Sequence, residues 1–179
     1  MVPKSSLELS DGGLEPAGPG WFVLNVRDAR WLDGHFGAYT RFEGKDRFPS
    51  LGFNIGVLEP GQPSCMYHGE DEQEDFLVLS GECLLLIEGT EQRLKAWDFV
   101  HCPPWTEHVF VGAGDGPCAI LMVGARSDDE RLLYPVSEVA RRHGASVERE
   151  TTSPEEAYAP FAPPPREEKP DGWDELPWA

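Results

Sequence analysis

Two short stretches of the chain carry side chains whose types and spacing suit a metal ion. In the first, His68, Glu70 and Glu74 stand at even spacing within the sequence YHGEDEQE. On an extended strand such residues share one face, with the Cα atoms of His68 and Glu70 about 6.6–7 Å apart. The second stretch contributes His108, three residues after Trp105 in the sequence PPWTEH. Two imidazoles with one or two carboxylates are a typical ligand set for a first-row transition metal.

This ligand set predicts a divalent metal ion but does not identify it. Two histidines with one carboxylate suit Fe(II), whereas further oxygen ligands are compatible with Mn, Ni and Zn. Coordination positions that the protein leaves open would be filled by water or substrate. The same residues also fit a simpler interpretation, because an acidic segment is often a solvated loop and a histidine in a strand is usually not a ligand.

The elements that must position these side chains are short strands separated by turn signals. Strands are predicted over residues 51–58, 75–79, 83–87, 91–94, 98–102, 106–111 and 118–123. Gly, Pro, Ser and Asp stand between them, and strands at a spacing of about 8–12 residues are typical of a sandwich or barrel. In such a fold, strands far apart in sequence can bring His108 to His68.

The spacing of the first stretch resembles a motif of the cupin superfamily, Gly-x5-His-x-His-x3–4-Glu-x6-Gly. Gly61 opens the match, His68 takes the position of the first histidine and Glu70 stands at the second. Glu74 matches the glutamate, and Gly81 follows after six residues. One extra residue separates Gly61 from His68.

The second stretch resembles the other cupin motif, Gly-x5-Pro-x-Gly-x2-His-x3-Asn. Pro103 and His108 take the positions of the proline and the histidine. Trp97 and Trp105 stand at the two glycines, and Gly112 stands where asparagine is usual. Because tryptophan rarely adopts a positive φ, we expect these two turns to differ from the usual cupin turns.

The resemblance implies an all-β fold, the double-stranded β-helix (jelly-roll) barrel of the cupins, over about residues 50–125. It also implies a metal ion bound by His68, Glu74 and His108. Glu70 is then either a fourth ligand or a free carboxylate that acts as a general base, with a pKa set by burial and by the cation. His101 is either a strand residue or a hydrogen-bond partner behind the ligands.

Four residues are expected to line the pocket. If Glu74 faces the barrel interior, Phe76 and Val78 face it too, because alternate residues of a strand share a face. Phe110 lies beside His108 in the same way, and Trp105 is expected to wall the pocket near the second histidine. In a small barrel such side chains can be core residues and ligand contacts at once.

The chain divides into four predicted segments. They are an irregular lead-in at 1–20, a barrel at 21–126 that begins with a strand at 21–26, an extension at 127–150 with one helix over 136–143, and a Pro-rich acidic tail at 151–179. Several barrel strands are apolar on both faces and need an outer cover. The tail keeps aromatic residues, so we expect it to wrap the barrel or a partner subunit, and we expect a homodimer.

Composition excludes some partners. The chain has 179 residues, with 15 basic against 32 acidic residues and a net charge of −17. This balance argues against nucleic acid and against anionic membrane surfaces, both of which attract clustered Lys and Arg. The four cysteines form no Cys-x-x-Cys pair, and no stretch has the pattern of a signal peptide or a membrane span. A cytoplasmic location is therefore expected.

Three functions remain open at this stage. The first is a metal-dependent enzyme of the isomerase or oxygenase class that acts on a small organic substrate, with Glu70 as the catalytic acid or base. The second is a non-catalytic module that binds a metal or a metabolite, and the third is a structural barrel with a vestigial site. The chain also resembles small single-domain cupins of the phosphomannose-isomerase-like kind, but the cupin fold serves many reactions.

Overall fold

Short antiparallel strands are the main regular elements of the computed structural model, which describes residues 1–161 and 163–178. The strands are β1 (Leu7–Ser10), β2 (Gly13–Pro16), β3 (Arg30–Gly34), β4 (Gly37–Arg41), β5 (Leu51–Leu58), β6 (Gly69–Glu70), β7 (Glu74–Ser80), β8 (Glu82–Ile87), β9 (Thr90–Lys95), β10 (Phe99–Cys102), β11 (His108–Ala113), β12 (Cys118–Ala125) and β13 (Leu132–Leu133). The two α-helices are α1 (Glu138–Arg141) and α2 (Pro154–Tyr158). The prediction of an all-β fold is confirmed.

Two sheets carry the architecture. The larger has six strands in the order β10-β7-β12-β5-β4-β3, and the smaller has three in the order β11-β8-β9. Two-stranded pairs β1–β2 and β6–β13 flank them. Strands that are neighbours in a sheet but distant in sequence, such as β7 and β12, are typical of a jelly roll.

The main core lies between the two sheets. Phe76 and Val78 of β7 meet Leu85 of β8, Phe110 of β11 and Ile120 of β12, and all five side chains are buried. They alternate along their strands with residues that face outward, as the period of two requires. Each such side chain contributes about 1.5–3 kcal/mol to folding by leaving water.

The outer faces of both sheets are covered by the C-terminal part of the chain. Ala140 of α1 packs with Leu86 and Val109 on the back of the smaller sheet. On the back of the larger sheet, Trp31 contacts Trp173 and Trp178, with ring centroids 5.5 Å and 5.4 Å apart. These contacts account for strands that are apolar on both faces.

The N-terminal segment differs from the prediction in two ways. Residues 1–20, expected to be irregular, contain the β1–β2 hairpin, and the expected first strand at 21–26 is absent apart from a single bridge between Trp21 and Lys4. Gly13 closes the hairpin at a φ of 135°, a conformation open to glycine. The four residues of β1, Leu-Glu-Leu-Ser, do alternate apolar and polar side chains, but this short signal is obscured by the turn-forming residues that surround it.

The helices are shorter and more numerous than expected. The helix predicted over 136–143 is present as α1, where Ser137 accepts a hydrogen bond from the Ala140 N–H at 3.3 Å and Gly144 ends the turn with a φ of 71°. The expectation of one C-terminal helix is wrong, because α2 follows. Its signal was Ser153 before Pro154, an N-cap residue followed by proline at the first helical position. Neither of these helices, of four and five residues, could serve as a membrane span within the described residues.

The two tryptophans at the glycine positions of the second motif adopt positive φ, 75° at Trp97 and 68° at Trp105. The expectation that these turns differ for want of a positive φ is therefore wrong. Backbone hydrogen bonds hold both, from the Trp97 N–H to the Val78 carbonyl at 2.7 Å and from the Trp105 N–H to the Glu70 carbonyl at 2.6 Å. Such a conformation costs about 1–2 kcal/mol in a residue with a Cβ.

Candidate metal centre

His68 and His108 meet through their backbones. The His108 N–H donates to the His68 carbonyl at 2.8 Å, and the His68 N–H donates to the His108 carbonyl at 3.2 Å. The two residues form an isolated antiparallel bridge between the β6 segment and the start of β11. The imidazole rings consequently lie side by side, with centroids 5.4 Å apart.

The carboxylates of Glu70 and Glu74 reach the same place from two strands that are consecutive in sequence, β6 and β7. One donor atom from each of His68, Glu70 and Glu74 lies within 4.8 Å of the other two. His108 is not part of this mutually close set, but its Nε2 lies 3.2 Å from Oε2 of Glu74. Glu70 is held in β6 opposite Leu132 of β13, and Glu74 is the first residue of β7.

Hydrogen bonds to backbone carbonyl groups orient both imidazoles. Nδ1 of His68 donates to the Met66 carbonyl at 2.9 Å, and Nδ1 of His108 donates to the Thr106 carbonyl at 2.9 Å. A carbonyl oxygen can only accept, so Nδ1 carries the proton in each ring and Nε2 keeps its lone pair. In metal-binding histidines, the ring nitrogen that does not bind the metal usually donates such a hydrogen bond.

Burial shifts the pKa values of three of the four groups. It raises the pKa of Glu70 to about 8, with the nearby Glu74 carboxylate adding to the effect, and it also raises the pKa of Glu74. Burial, with a smaller contribution from the nearby His68 imidazole, lowers the pKa of His108 to about 4. The His108 imidazole is therefore neutral at neutral pH.

The residues present fit a divalent cation. Oε2 of Glu74 is buried without a hydrogen-bond donor, and Nε2 of His108, 3.2 Å away, also carries a lone pair. Their separation of 3.2 Å is close to the spacing of about 3.0 Å between two ligands at right angles around an ion with bonds of about 2.1 Å. Two acceptor atoms so close together repel each other, and a cation between them would remove that repulsion.

The predicted pocket residues divide into two groups. Phe76 lies under His108, with ring centroids 5.1 Å apart, and Phe110 lies 4.7 Å from Phe76, while Val78 is buried further into the core. Trp105 contacts the site through its backbone. Its ring is 45% exposed and lies 5.5 Å from the guanidinium of Arg131.

His101 lies on the other side of the sheet. Its Nδ1 is 2.7 Å from the Asp75 carboxylate, and both side chains point to the outer face of β10 and β7. Asp75 and Glu74 are adjacent in the strand and therefore face opposite ways. Of the two interpretations of His101, the structure supports the strand residue.

Two nearby residues had no signal in the sequence. The Tyr134 ring stacks on His68, with centroids 5.7 Å apart and an interplanar angle of 29°. Asp71 accepts hydrogen bonds from the backbone N–H and Nε of Arg131, at 2.8 Å and 2.6 Å, which ties the segment after β12 to the ligand-bearing segment. No motif marks these positions, because each acts through contacts between distant parts of the chain.

Comparison with known proteins identifies a cupin domain within the chain. A family profile described as a cupin domain matches residues 54–124. The structure of a sugar phosphate isomerase from a cupin superfamily, from Silicibacter pomeroyi, is 25% identical and covers 62% of this chain and 80% of that one, with a TM-score of 0.56. The polyketide cyclase RemF from Streptomyces resistomycificus is 14% identical, covers 59% and 79% of the two chains, and has a TM-score of 0.51, which shows the fold alone.

A further likeness is partial. A solved protein from Acidithiobacillus ferrooxidans is 31% identical over 48% of this chain, with a TM-score of 0.46, and the chain spans 56% of the length of that protein. No curated protein matches the chain.

Proposed function

We propose, from the premise that residues 54–124 form a small cupin domain, that the protein is a metal-dependent enzyme that isomerises a small organic substrate. The observation that carries the proposal is the group of His68, Glu70 and Glu74, whose donor atoms lie within 4.8 Å of one another, with His108 beside Glu74. The 25% identical relative described as a sugar phosphate isomerase supports the reaction class.

His68, His108 and Glu74 would hold the ion. Both imidazoles present a lone pair on Nε2, and Glu74 presents a buried oxygen without a donor. A bound divalent ion polarises a carbonyl or hydroxyl oxygen of the substrate. Iron, manganese, zinc and nickel all suit this mixed nitrogen and oxygen ligand set.

Glu70 would move the proton. Burial and the Glu74 carboxylate raise its pKa to about 8 in the metal-free site. A bound cation would lower this pKa again towards neutral, which suits proton transfer near neutral pH. As a carboxylate it can remove a proton from a carbon next to a carbonyl, and as the acid it can return that proton to the neighbouring carbon. The reaction needs no oxidant, and Phe76 and Phe110 keep water from the inner side of the site.

The oxygenase class is the second candidate. Two histidines and one carboxylate suit Fe(II), with Glu70 then outside the ligand set. We favour the isomerase because an iron site with two histidines and one carboxylate would leave Glu70 without a role, whereas an isomerase needs a second carboxyl group to transfer the proton.

The proposal includes a homodimer. It is supported by Trp97 and Phe99, which lie just before and at the start of the edge strand β10 and have 74% and 65% of their surface exposed. Large aromatic side chains that are grouped on a surface often mark an interface. The four free cysteines fit a reducing compartment such as the cytoplasm.

Metal content and proton exchange test the proposal together. Mass spectrometry of untagged protein is expected to find about one ion per chain in the wild type and in His101→Ala, the matched control, and much less in His108→Ala. The loaded protein is then incubated with ribose 5-phosphate and with glucose 6-phosphate in D₂O. Deuterium at the carbon next to the carbonyl, lost in Glu70→Gln, supports an isomerase.

Two results would contradict it. A wild type without metal, even after anaerobic loading with Fe, Mn, Ni and Zn, leaves a binding or structural barrel. Metal uptake with oxygen consumption and without deuterium exchange assigns the protein to the oxygenase class.

A further inference from the structure

A strip without side chains lies beside the two carboxylates. Gly124 of β12 stands opposite Glu74 of β7 on one side and opposite Gly52 of β5 on the other. Residues that stand opposite each other in antiparallel strands face the same way, so both glycines face the interior with Glu74. A Cβ on Gly124 would lie 3.9 Å from Oε1 of Glu74 and 4.0 Å from Oε1 of Glu70. The strip therefore adjoins the candidate metal ligands.

Arg126 bounds the far end of the strip. A Cβ on Gly52 would lie 2.8 Å from Nη2 and 3.0 Å from Nε of Arg126. Gly52 leaves room for the guanidinium, which leans over it on the same face as Glu74. The strip thus runs from the carboxylates to a positive charge across two strand spacings, about 10 Å.

One edge of the Arg126 guanidinium is held by hydrogen bonds to Glu43 and Phe48, and the other edge has unused N–H groups. Nη1 donates to Oε1 of Glu43 and to the Phe48 carbonyl at 3.0 Å, and Nη2 donates to Oε2 of Glu43 at 3.1 Å. A guanidinium has five N–H groups, and these bonds use three. Within residues 1–161 and 163–178, Nε has no acceptor. The free N–H groups, on Nε and Nη2, lie on the side turned towards Gly52.

We propose that this strip, from Glu74 to Arg126, binds the substrate, and that the free edge of Arg126 binds an oxyanion at the end of the substrate away from the metal. This rests on the proposed function, since the metal holds the other end. Two parallel N–H groups match the two oxygens of a carboxylate or phosphate. The substrate class is a small molecule with oxygen ligands at one end and an anionic group at the other.

Binding of three acids that share one head group tests the proposal. Lactate, malate and 3-phosphoglycerate all carry an α-hydroxy acid for the metal, and their distal groups are a methyl, a carboxylate and a phosphate. Calorimetry on manganese-loaded protein is expected to show malate or 3-phosphoglycerate binding about tenfold more tightly than lactate. Whichever of these two acids binds more tightly shows whether Arg126 prefers a carboxylate or a phosphate.

Variants separate the role of Arg126 from simple loss of folding. Arg126→Gln is expected to keep its metal and to bind all three acids as weakly as lactate. Arg126→Lys keeps the positive charge but lacks the two parallel N–H groups, so it is expected to lose most of the preference for malate or 3-phosphoglycerate over lactate. Glu43→Gln leaves Arg126 in place and removes its internal carboxylate, so the preference is expected to persist or grow. Gly124→Ala narrows the strip and is expected to weaken all three acids severalfold, with Gly18→Ala, where a Cβ meets nothing within 4 Å, as control.

The outcomes distinguish the two proposals. If the wild type takes up no metal, both the proposed function and the proposed role of Arg126 in substrate binding are overturned. The role of Arg126 alone is overturned by any of three results with metal-loaded protein. These are no preference for a distal anion, no binding of any of the three acids, and a preference that persists in Arg126→Gln.

Discussion

Oε2 of Glu74 and Nε2 of His108 lie 3.2 Å apart, and both are hydrogen-bond acceptors. The His108 imidazole keeps its proton on Nδ1, which donates to the Thr106 carbonyl. The contact is therefore satisfied by a proton on Glu74 or by a cation between the two atoms. Protons and metal compete for one place, and the pH dependence of the site follows from that competition.

Metal affinity is expected to rise with pH between about 6 and 8. Burial raises the pKa of Glu70 to about 8 and raises that of Glu74, so the metal-free site holds protons that a cation must displace. Displacement of one proton weakens binding up to about tenfold for each unit that the pH falls. Titration against a competing chelator at several pH values measures this. A flat profile, or an equal slope in Glu70→Gln, would contradict it.

The metal-free protein is expected to lose stability as the pH rises from about 4.5 to about 8. A carboxyl with a pKa raised in the folded state contributes stability that is full below its ordinary value of 4.5 and is lost as the pH rises through about 8. We expect the free energy of unfolding to fall by about 2 kcal/mol, allowing for solvent near Glu70. Urea denaturation in EDTA measures the loss. Glu70→Gln should show a flatter profile, and excess metal should restore about 2.7 kcal/mol at a hundred times its Kd.

Replacement of Trp97 separates backbone strain from side-chain contact. Trp97 has a φ of 75° and is 74% exposed, so its ring contributes little packing while its Cβ is strained. Trp97→Gly is expected to be more stable than Trp97→Ala by about 1 kcal/mol, because only glycine adopts this φ without cost. Urea denaturation of both variants gives the difference. Equal stabilities would mean that the turn relaxes and carries no strain.

The Tyr134 ring is expected to hold the orientation of His68. It is buried and stacks on the imidazole at 5.7 Å. Tyr134→Ala removes the stacking surface, and groups that orient a ligand typically change metal affinity by about tenfold or more. Chelator competition is expected to show that loss in Tyr134→Ala and near-normal affinity in Tyr134→Phe. Equal affinity in the alanine variant would show that the Met66 hydrogen bond alone suffices.

Much of the barrel can be predicted from local patterns. The strand expected at 51–58 coincides with β5, and those at 83–87 and 118–123 fall within β8 and β12. Apolar alternation between glycine and proline turns marks a strand wherever one face is buried. The pattern is harder to recognise in the short hairpin of β1 and β2, where Pro16 alone among the eight strand residues is buried.

The sequence by itself also determined the donor groups of the site. The spacing of His68, Glu70 and Glu74 follows from the period of an extended segment, and the position of His108 follows from the second motif. Only the tertiary structure placed Tyr134 on His68 and Arg126 beyond Gly52. Those contacts join residues dozens of positions apart, and no local period encodes them. The pairing of β13 with β6 decided the first contact and the pairing of β12 with β5 the second, because strand pairing sets which distant residues lie side by side.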